Sequence, residues 1–301
     1  MRKLLFIINP KAGKKLGPEL LPLIEQKLKT RLHERQEKPE YEIAIWKNVE
    51  EFGLIAEKLK NGNFTDAIAV GGDGTVNMVG KTILGSDIVL GILPAGSGNG
   101  LARSLKLPMK KEKALDAIIE GRTALIDSGE VNGSPFFCTS GVGFDAHIGN
   151  LFATSTTRGL KTYIKIIRKE FKVYEPQKYL IKTENEEIER EAFLITVGNA
   201  GQYGNDFYIA PGAKMNDGLF HVSVLKPFKF SQVLGLVNKI LIGKADKSHL
   251  IETIICKELI IERKKSGMVH YDGEPKMENE KVIFTMREGS MKVIVGENFT
   301  G

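Results

Sequence analysis

At 301 residues, with 42% hydrophobic and 27% charged residues, the chain has an ordinary globular composition with room for two cores, which excludes a disordered or fibrous protein. Its formal charge of +6, from 43 basic and 37 acidic residues, favours anionic partners without naming one: nucleotide, nucleic acid or an acidic membrane surface. Cys138 and Cys256, far apart and without metal-ligand company, read as reduced core thiols, and no apolar run reaches the roughly 20 residues of a membrane span, so a cytoplasmic protein is expected, at most peripheral at the inner membrane surface.

The opening Met1-Arg2-Lys3 and the apolar Leu4 to Ile8 are too short for a signal peptide and meet Asn9-Pro10 where cleavage would fall; they read as a first strand. Helix is then expected over Glu19 to Arg35, strand over Tyr41 to Trp46, helix over Glu50 to Lys60, strand over Ala67 to Val70, helix over Val76 to Leu84 and strand over Ile88 to Leu93. This alternation predicts a doubly wound α/β domain with a parallel sheet, over residues 1–125. After Ala124 the rhythm changes. Asn132-Gly133 and Asn185 lie between β-rich runs as hairpin turns do, and strands are expected over Phe193 to Val197, Leu219 to Leu225, Ile251 to Ile255, Leu259 to Glu262, Val282 to Met286 and Met291 to Val295. Residues 126–301 therefore predict a β-rich, antiparallel, sandwich-like domain, with the final strand free to return to the first.

Three loops leave the carboxyl ends of predicted strands in the first half: Asn9-Pro10-Lys11-Ala12-Gly13, Gly71-Gly72-Asp73-Gly74-Thr75 and Pro94-Ala95-Gly96-Ser97-Gly98-Asn99. Ligands of open α/β sheets bind at that end of the strands. Backbone without Cβ turns sharply and brings N–H groups close to phosphate oxygens, and the following helix adds its positive end. Thr75 and Ser97 add hydroxyls, Asn9 and Asn99 amides. Asp73 is the oddity, because a carboxylate in a phosphate cradle repels a nucleotide unless a divalent cation intervenes or the carboxylate takes a proton in the reaction. Gly-Gly-Asp-Gly-Thr arises by chance in fewer than about one chain in a thousand of this length, so a mere turn is the weaker reading.

Gly71-Gly72-Asp73-Gly74-Thr75-Val76-Asn77 followed by Gly96-Ser97-Gly98-Asn99 resembles the catalytic domain of the diacylglycerol kinase, sphingosine kinase and bacterial lipid kinase superfamily. Asn9-Pro10, Gly141-Val142-Gly143-Phe144-Asp145, Asn216-Asp217-Gly218-Leu219 and Asp272-Gly273-Glu274-Pro275 continue the likeness in order. The resemblance implies an ATP- and magnesium-dependent lipid kinase of phospholipid metabolism, with its site in the cleft between two domains. It implies that Asn9, Pro10, Lys11, Ala12, Gly13, Gly71, Gly72, Asp73, Gly74, Thr75, Asn77 and Ser97 hold ATP, with Arg158 reaching its phosphates. Glu274 is implied as the base for the lipid hydroxyl, in competition with Asp73. A base must stand on the acceptor's side of the transferred phosphoryl group, which favours Glu274, presented by the Asp272-Gly273 turn. In bacterial relatives a structural magnesium sits at the Asn-Asp-Gly-Leu segment; by position its ligands here are Asp217 and the backbone oxygens of Lys214 and Leu219, oxygen donors that suit a hard cation. Trp46 or a neighbour stands where many bacterial relatives have a nucleotide-touching threonine, and the third loop is worded as in sphingosine kinases.

On the lipid side, Leu160, Ile164, Ile167 and Phe171 form one helical stripe with Lys161, Lys165, Arg168 and Lys172 beside it, either a packed helix with a solvated cationic flank or a face that rests on an anionic bilayer. Phe136, Phe137, Phe144 and Phe152 are candidates for an acyl pocket, with core packing as the plain alternative. An NAD kinase or phosphofructokinase relative is the competing enzyme, and a non-catalytic nucleotide-responsive module that binds membranes the competing class. The partners expected are nucleotide and membrane-borne lipid, without nucleic acid; a homodimer is left open.

Overall fold

A computed structural model describes residues 2–12, 20–35, 40–155 and 160–301. The chain divides into two compact units, residues 1–126 with 289–301 and residues 127–288, so the last segment belongs to the first unit.

In the first unit β1 (Lys3–Ile8), α1 (Leu20–Arg35), β2 (Glu40–Ile45), α2 (Val49–Asn61), β3 (Asp66–Gly71), α3 (Asp73–Ile83) and β4 (Val89–Pro94) alternate as expected. Two further helices, α4 (Gly100–Ser104) and α5 (Lys111–Glu120), follow without having been foreseen. Local chemistry explains α2: Asn48 caps it through the Glu51 amide, Glu50 and Glu51 lie at its positive end, and Phe52, Ile55 and Leu59 form its buried stripe. The strands are parallel in the order β2-β1-β3-β4. β1, β3 and β4 are almost wholly buried, as continuous apolar strands covered on both faces must be. Strand order reverses direction at β1/β3, and in doubly wound sheets the crevice for a ligand opens at the carboxyl ends of such a pair.

The second unit begins within β5 (Thr123–Val131) and continues through β6 (Ser134–Phe136), β7 (Thr139–Gly143), α6 (Phe144–Ala153), α7 (Leu160–Glu170), β8 (Gln177–Thr183), β9 (Glu187–Ala192), β10 (Leu194–Gly198), β11 (Phe220–Leu225) and α8 (Val233–Leu241). It closes with β12 (Ile251–Cys256), β13 (Glu258–Arg263), β14 (Gly267–Tyr271), β15 (Glu274–Glu278) and the first part of β16 (Lys281–Ile294). The strands expected over Val282 to Met286 and Met291 to Val295 are thus one strand, which bends at Gly289 (φ +53°) and ends in the first unit beside β4 through Val293 and Leu90.

Six antiparallel strands, β12-β11-β10-β7-β14-β15, form one sheet; β13 pairs β16 on one side and β8 on the other, with β9 beyond. Val142, Ile195, Val222 and Val269 of the first sheet share a core with Tyr179, Ile181, Ile261 and Phe284 of the second, which makes a sandwich. A second core holds Phe144, Phe193, Leu236 and Ile240, with Ile167 and Phe171 packed on it. The described apolar side of α7 is therefore occupied by protein, and Lys165, Arg168 and Lys172 are its solvated flank. Leu160, Lys161 and Ile164 have side chains outside the described set.

The four candidate acyl-pocket phenylalanines do not line one pocket. Phe136 belongs to the sandwich core, stacked on Phe220 at 5.9 Å, Phe137 is fully buried, and Phe144 belongs to the other core. Phe152 is half-buried and meets Tyr163 edge-on at 5.3 Å, so packing, the commonest use of phenylalanine, accounts for all four. No helix among the described residues is long and apolar enough to cross a membrane.

Candidate active site

The first two loops leave β1 and β3 at the switch point and are tied together by side chains. Asn9 Nδ2 donates to Thr75 Oγ1 (3.1 Å), and Asn9 Oδ1 accepts the Lys11 amide (2.9 Å), so one asparagine fixes both loops. Thr75 and Asn77 are buried in the first turns of α3; Pro10 and Lys11 are exposed. Gly13 lies outside the described residues, as does Arg158.

Glycine is required where the second and third loops touch. A Cβ on Gly96 would fall 2.5 Å from Gly72 Cα, and one on Gly72 would fall 3.0 Å from Gly96 Cα. The two backbones therefore approach more closely than any side chain allows. Asn99, in the left-handed region at φ +51°, folds its amide back on Gly96, accepting from its N–H and donating to its carbonyl, both at 2.9 Å.

Asp73 is the point where structure changes the sequence argument. Its carboxylate accepts the Asn99 amide at 2.9 Å and the Gly100 amide at 2.7 Å, one on each oxygen. A structural task therefore accounts for much of its charge: it staples the third loop to the start of α3. The amino end of α3, by contrast, has glycine as its N-cap and no side-chain cap, unlike α2. Its first amides point out of an uncapped positive helix end, the usual seat of a phosphate. Two buried donors, Asn77 Nδ2 in the first turns of α3 and Trp46 Nε1 just after β2, have no hydrogen-bond partner among the described residues. Trp46 follows β2, donates its amide to the Ile8 carbonyl (3.3 Å) and meets Phe52 edge-on at 5.5 Å.

A diacylglycerol kinase catalytic-domain model matches residues 3–131, and a YegS C-terminal NAD kinase beta sandwich-like domain model matches residues 139–295. Over 217 residues the chain is 31% identical to "Probable lipid kinase YegS" of Escherichia coli O17:K52:H18 (strain UMN026), with 69% of this chain and 70% of that relative covered. The chain belongs to the diacylglycerol kinase catalytic family. The same figures hold for the Shigella boydii serotype 18 protein of that name. A crystal structure of a diacylglycerol kinase from Bacillus anthracis str. Sterne shares the fold at TM-score 0.76 and 21% identity, covering 99% of this chain and 98% of that one. Another structure from that organism gives 0.80 and 22%, covering 99% and 96%.

This family member is a kinase, and its second unit carries the other candidate residue. β14 and β15 are joined by a two-residue turn, Asp272 (φ +50°) and Gly273 (φ +88°), between the paired Tyr271 and Glu274. Asp272 accepts the amides of Phe137, Cys138 and Thr139 at 2.8, 2.7 and 3.0 Å, and Glu274 is exposed at the start of β15. Asp-Gly is here more than a turn sequence, because the aspartate locks the turn to the β6–β7 connection.

Behind this hairpin lies a polar cluster that sequence reasoning did not assemble. Asp145 Oδ2 accepts from Tyr203 Oη (2.7 Å), Thr196 Oγ1 (3.1 Å) and His270 Nε2 (3.1 Å). His270 Nδ1 then accepts the Gly273 amide at 3.4 Å, which assigns the Nε2–H tautomer and ties the cluster to the residue before Glu274. Burial first, and the Asp145 charge second, push the Tyr203 hydroxyl well above the ordinary tyrosine range, so it remains a donor. The signal was present in Gly-Val-Gly-Phe-Asp: Gly143 at φ +106°, where a Cβ would fall 2.7 Å from Leu194 Cα, ends β7 abruptly and delivers Asp145 to the first turn of α6.

Asp217 lies in a turn of the second unit, its Oδ1 accepting the Leu219 amide (3.1 Å) and its Oδ2 4.0 Å from His221 Nε2. Among the described residues no three His, Cys, Asp or Glu side chains converge as a metal cluster. A cation here would draw on one carboxylate and the peptide oxygens of Lys214 and Leu219, a donor set with the hardness for magnesium. The turn also needs glycine, because Gly218 has φ +71°, donates its amide to buried Asp127 (2.8 Å), and would bring a Cβ within 2.9 Å of the Glu288 carboxylate.

Proposed function

We propose that this kinase transfers the terminal phosphoryl group of ATP, with magnesium, to the hydroxyl of a lipid. One observation carries the nucleotide reading: the uncapped glycine end of α3 at the β1/β3 switch point, flanked by loops whose glycines keep the backbone bare. Asn9 to Gly13, Gly71 to Asn77 and Ser97 hold the nucleotide in this reading. Magnesium neutralises the phosphates, and at Asp217, Lys214 and Leu219 a second ion stabilises the turn.

Of the two carboxylates in competition for the base, the hydrogen bonds support Glu274. Asp73 uses both oxygens on loop amides, whereas Glu274 is exposed on a hairpin that Asp272 and His270 fix. The lipid hydroxyl gives its proton to Glu274 as its oxygen bonds to phosphorus, and the bond to the departing ADP oxygen breaks. Kinase membership, together with relatives that bear lipid kinase names, supports a lipid acceptor over NAD or fructose 6-phosphate.

Incubation of the protein with labelled ATP, magnesium and a lipid extract is expected to yield a labelled phospholipid identified by mass. Label entering NAD or fructose 6-phosphate, with none in lipid, would reverse the acceptor assignment. Chelation of magnesium is expected to stop transfer.

A further inference from the structure

α8 has apolar residues on two opposite sides. Leu236 and Ile240, four residues apart, face inward and are buried in the second core. Leu234 and Leu241, seven apart, lie on the outer side at 80% and 50% exposure, with Phe230 just before the helix at 75% and Ile242 just after it at 54%. A Cβ added at exposed Gly235 would meet nothing within 4 Å, so among the described residues this part of the outer side is open. A helix that is apolar all round is normally buried, and a contiguous exposed apolar face marks a surface that something else covers.

The charge around this face selects the occupant. Between residues 226 and 249 the sequence carries five lysines and one acid, Asp246. The ring of Phe171, at the end of the basic flank of α7, stands 5.8 Å from that of Phe230, which joins Lys169 and Lys172 to the same margin. Large apolar side chains flanked in sequence by an excess of lysines, two of them paired with Glu252 and Asp246, match the boundary between anionic headgroups and acyl chains, where apolar groups sink and a net positive charge gains from the surface potential.

We propose that the outer face of α8, with Phe230 and Leu234 as its anchors, docks this kinase on an anionic bilayer. The docking rests on the lipid-acceptor reading for its purpose, since an enzyme acting on a bilayer lipid works only where it meets the bilayer. The surface differs from the α7 stripe that sequence suggested, whose described apolar residues are consumed by the core.

The test uses the whole chain and two readouts that fail separately. In sedimentation with vesicles of phosphatidylcholine containing about one-third phosphatidylglycerol, the protein is expected to bind, more weakly as salt rises and little to phosphatidylcholine alone. Phe230→Glu combined with Leu234→Glu should weaken binding about thirtyfold, while turnover on a detergent-dispersed acceptor stays unchanged. Should that variant melt early, Leu234→Gln alone should show a smaller loss with the native melting temperature. Absence of binding by the native chain, or equal binding by the variants, overturns the proposal. So does a native dimer that the variants dissolve without any vesicle binding, because the face then belongs to a second copy. Loss of turnover on the dispersed acceptor in the native protein counts against the acceptor reading and leaves the vesicle result to be judged by itself.

Discussion

Two aspartates in glycine turns, Asp73 in the first unit and Asp272 in the second, do the same physical work with opposite consequences. Each carboxylate gathers backbone amides of a distant segment, two for Asp73 and three for Asp272. In the first unit the aspartate belongs to the cradle itself, so stapling the loops uses the charge that sequence assigned to chemistry. In the second, the aspartate holds the turn while the next carboxylate along, Glu274, stays exposed. An Asp-Gly turn therefore says that a backbone is being held, and only the folded contacts say whether its carboxylate is the one doing the holding.

The largest expected effect separates these roles. Glu274→Gln should lower turnover about a hundredfold to ten-thousandfold with little change in melting temperature, because the exposed side chain keeps its shape and loses its basicity. Near-native turnover in that variant would return the base to Asp73. Asp73→Asn and Asp272→Asn should each cost about 1–3 kcal/mol in denaturant unfolding, since an amide cannot accept on both atoms, with Asp272 toward the upper end. If Asp73→Asn kept full stability and lost all turnover, its amide bonds would be incidental and its charge would belong to the reaction. Tyr203→Phe, the smallest change, removes one of the three side-chain donors on Asp145 and should cost about 1 kcal/mol, with a modest fall in kcat and little change in KM if the cluster reaches Glu274 only through His270 and Gly273.

Sequence alone determined the alternation of strands and helices in the first unit, because apolar runs buried on both faces and caps such as Asn48 are local signals. It also located the glycine loops and the Asp272-Gly273 turn, since residues that must adopt bare or left-handed backbone announce themselves by type. It placed the start of α3 at Val76, three residues late, because Asp73, Gly74 and Thr75 are poor helix formers and only the tertiary anchoring of that turn makes them helical.

Tertiary structure alone decided that the Asp73 carboxylate is spent on amides, because residues 73 and 99 are strangers in sequence and neighbours only once β3 and β4 pair. The same holds for Asp145, Tyr203 and His270, three separated residues whose meeting depends on the β7, β10 and β14 registers. It also decided that α7 spends its apolar side inward while α8 has one side to spare, a difference that periodicity cannot show because both helices carry apolar stripes and only packing says which are covered.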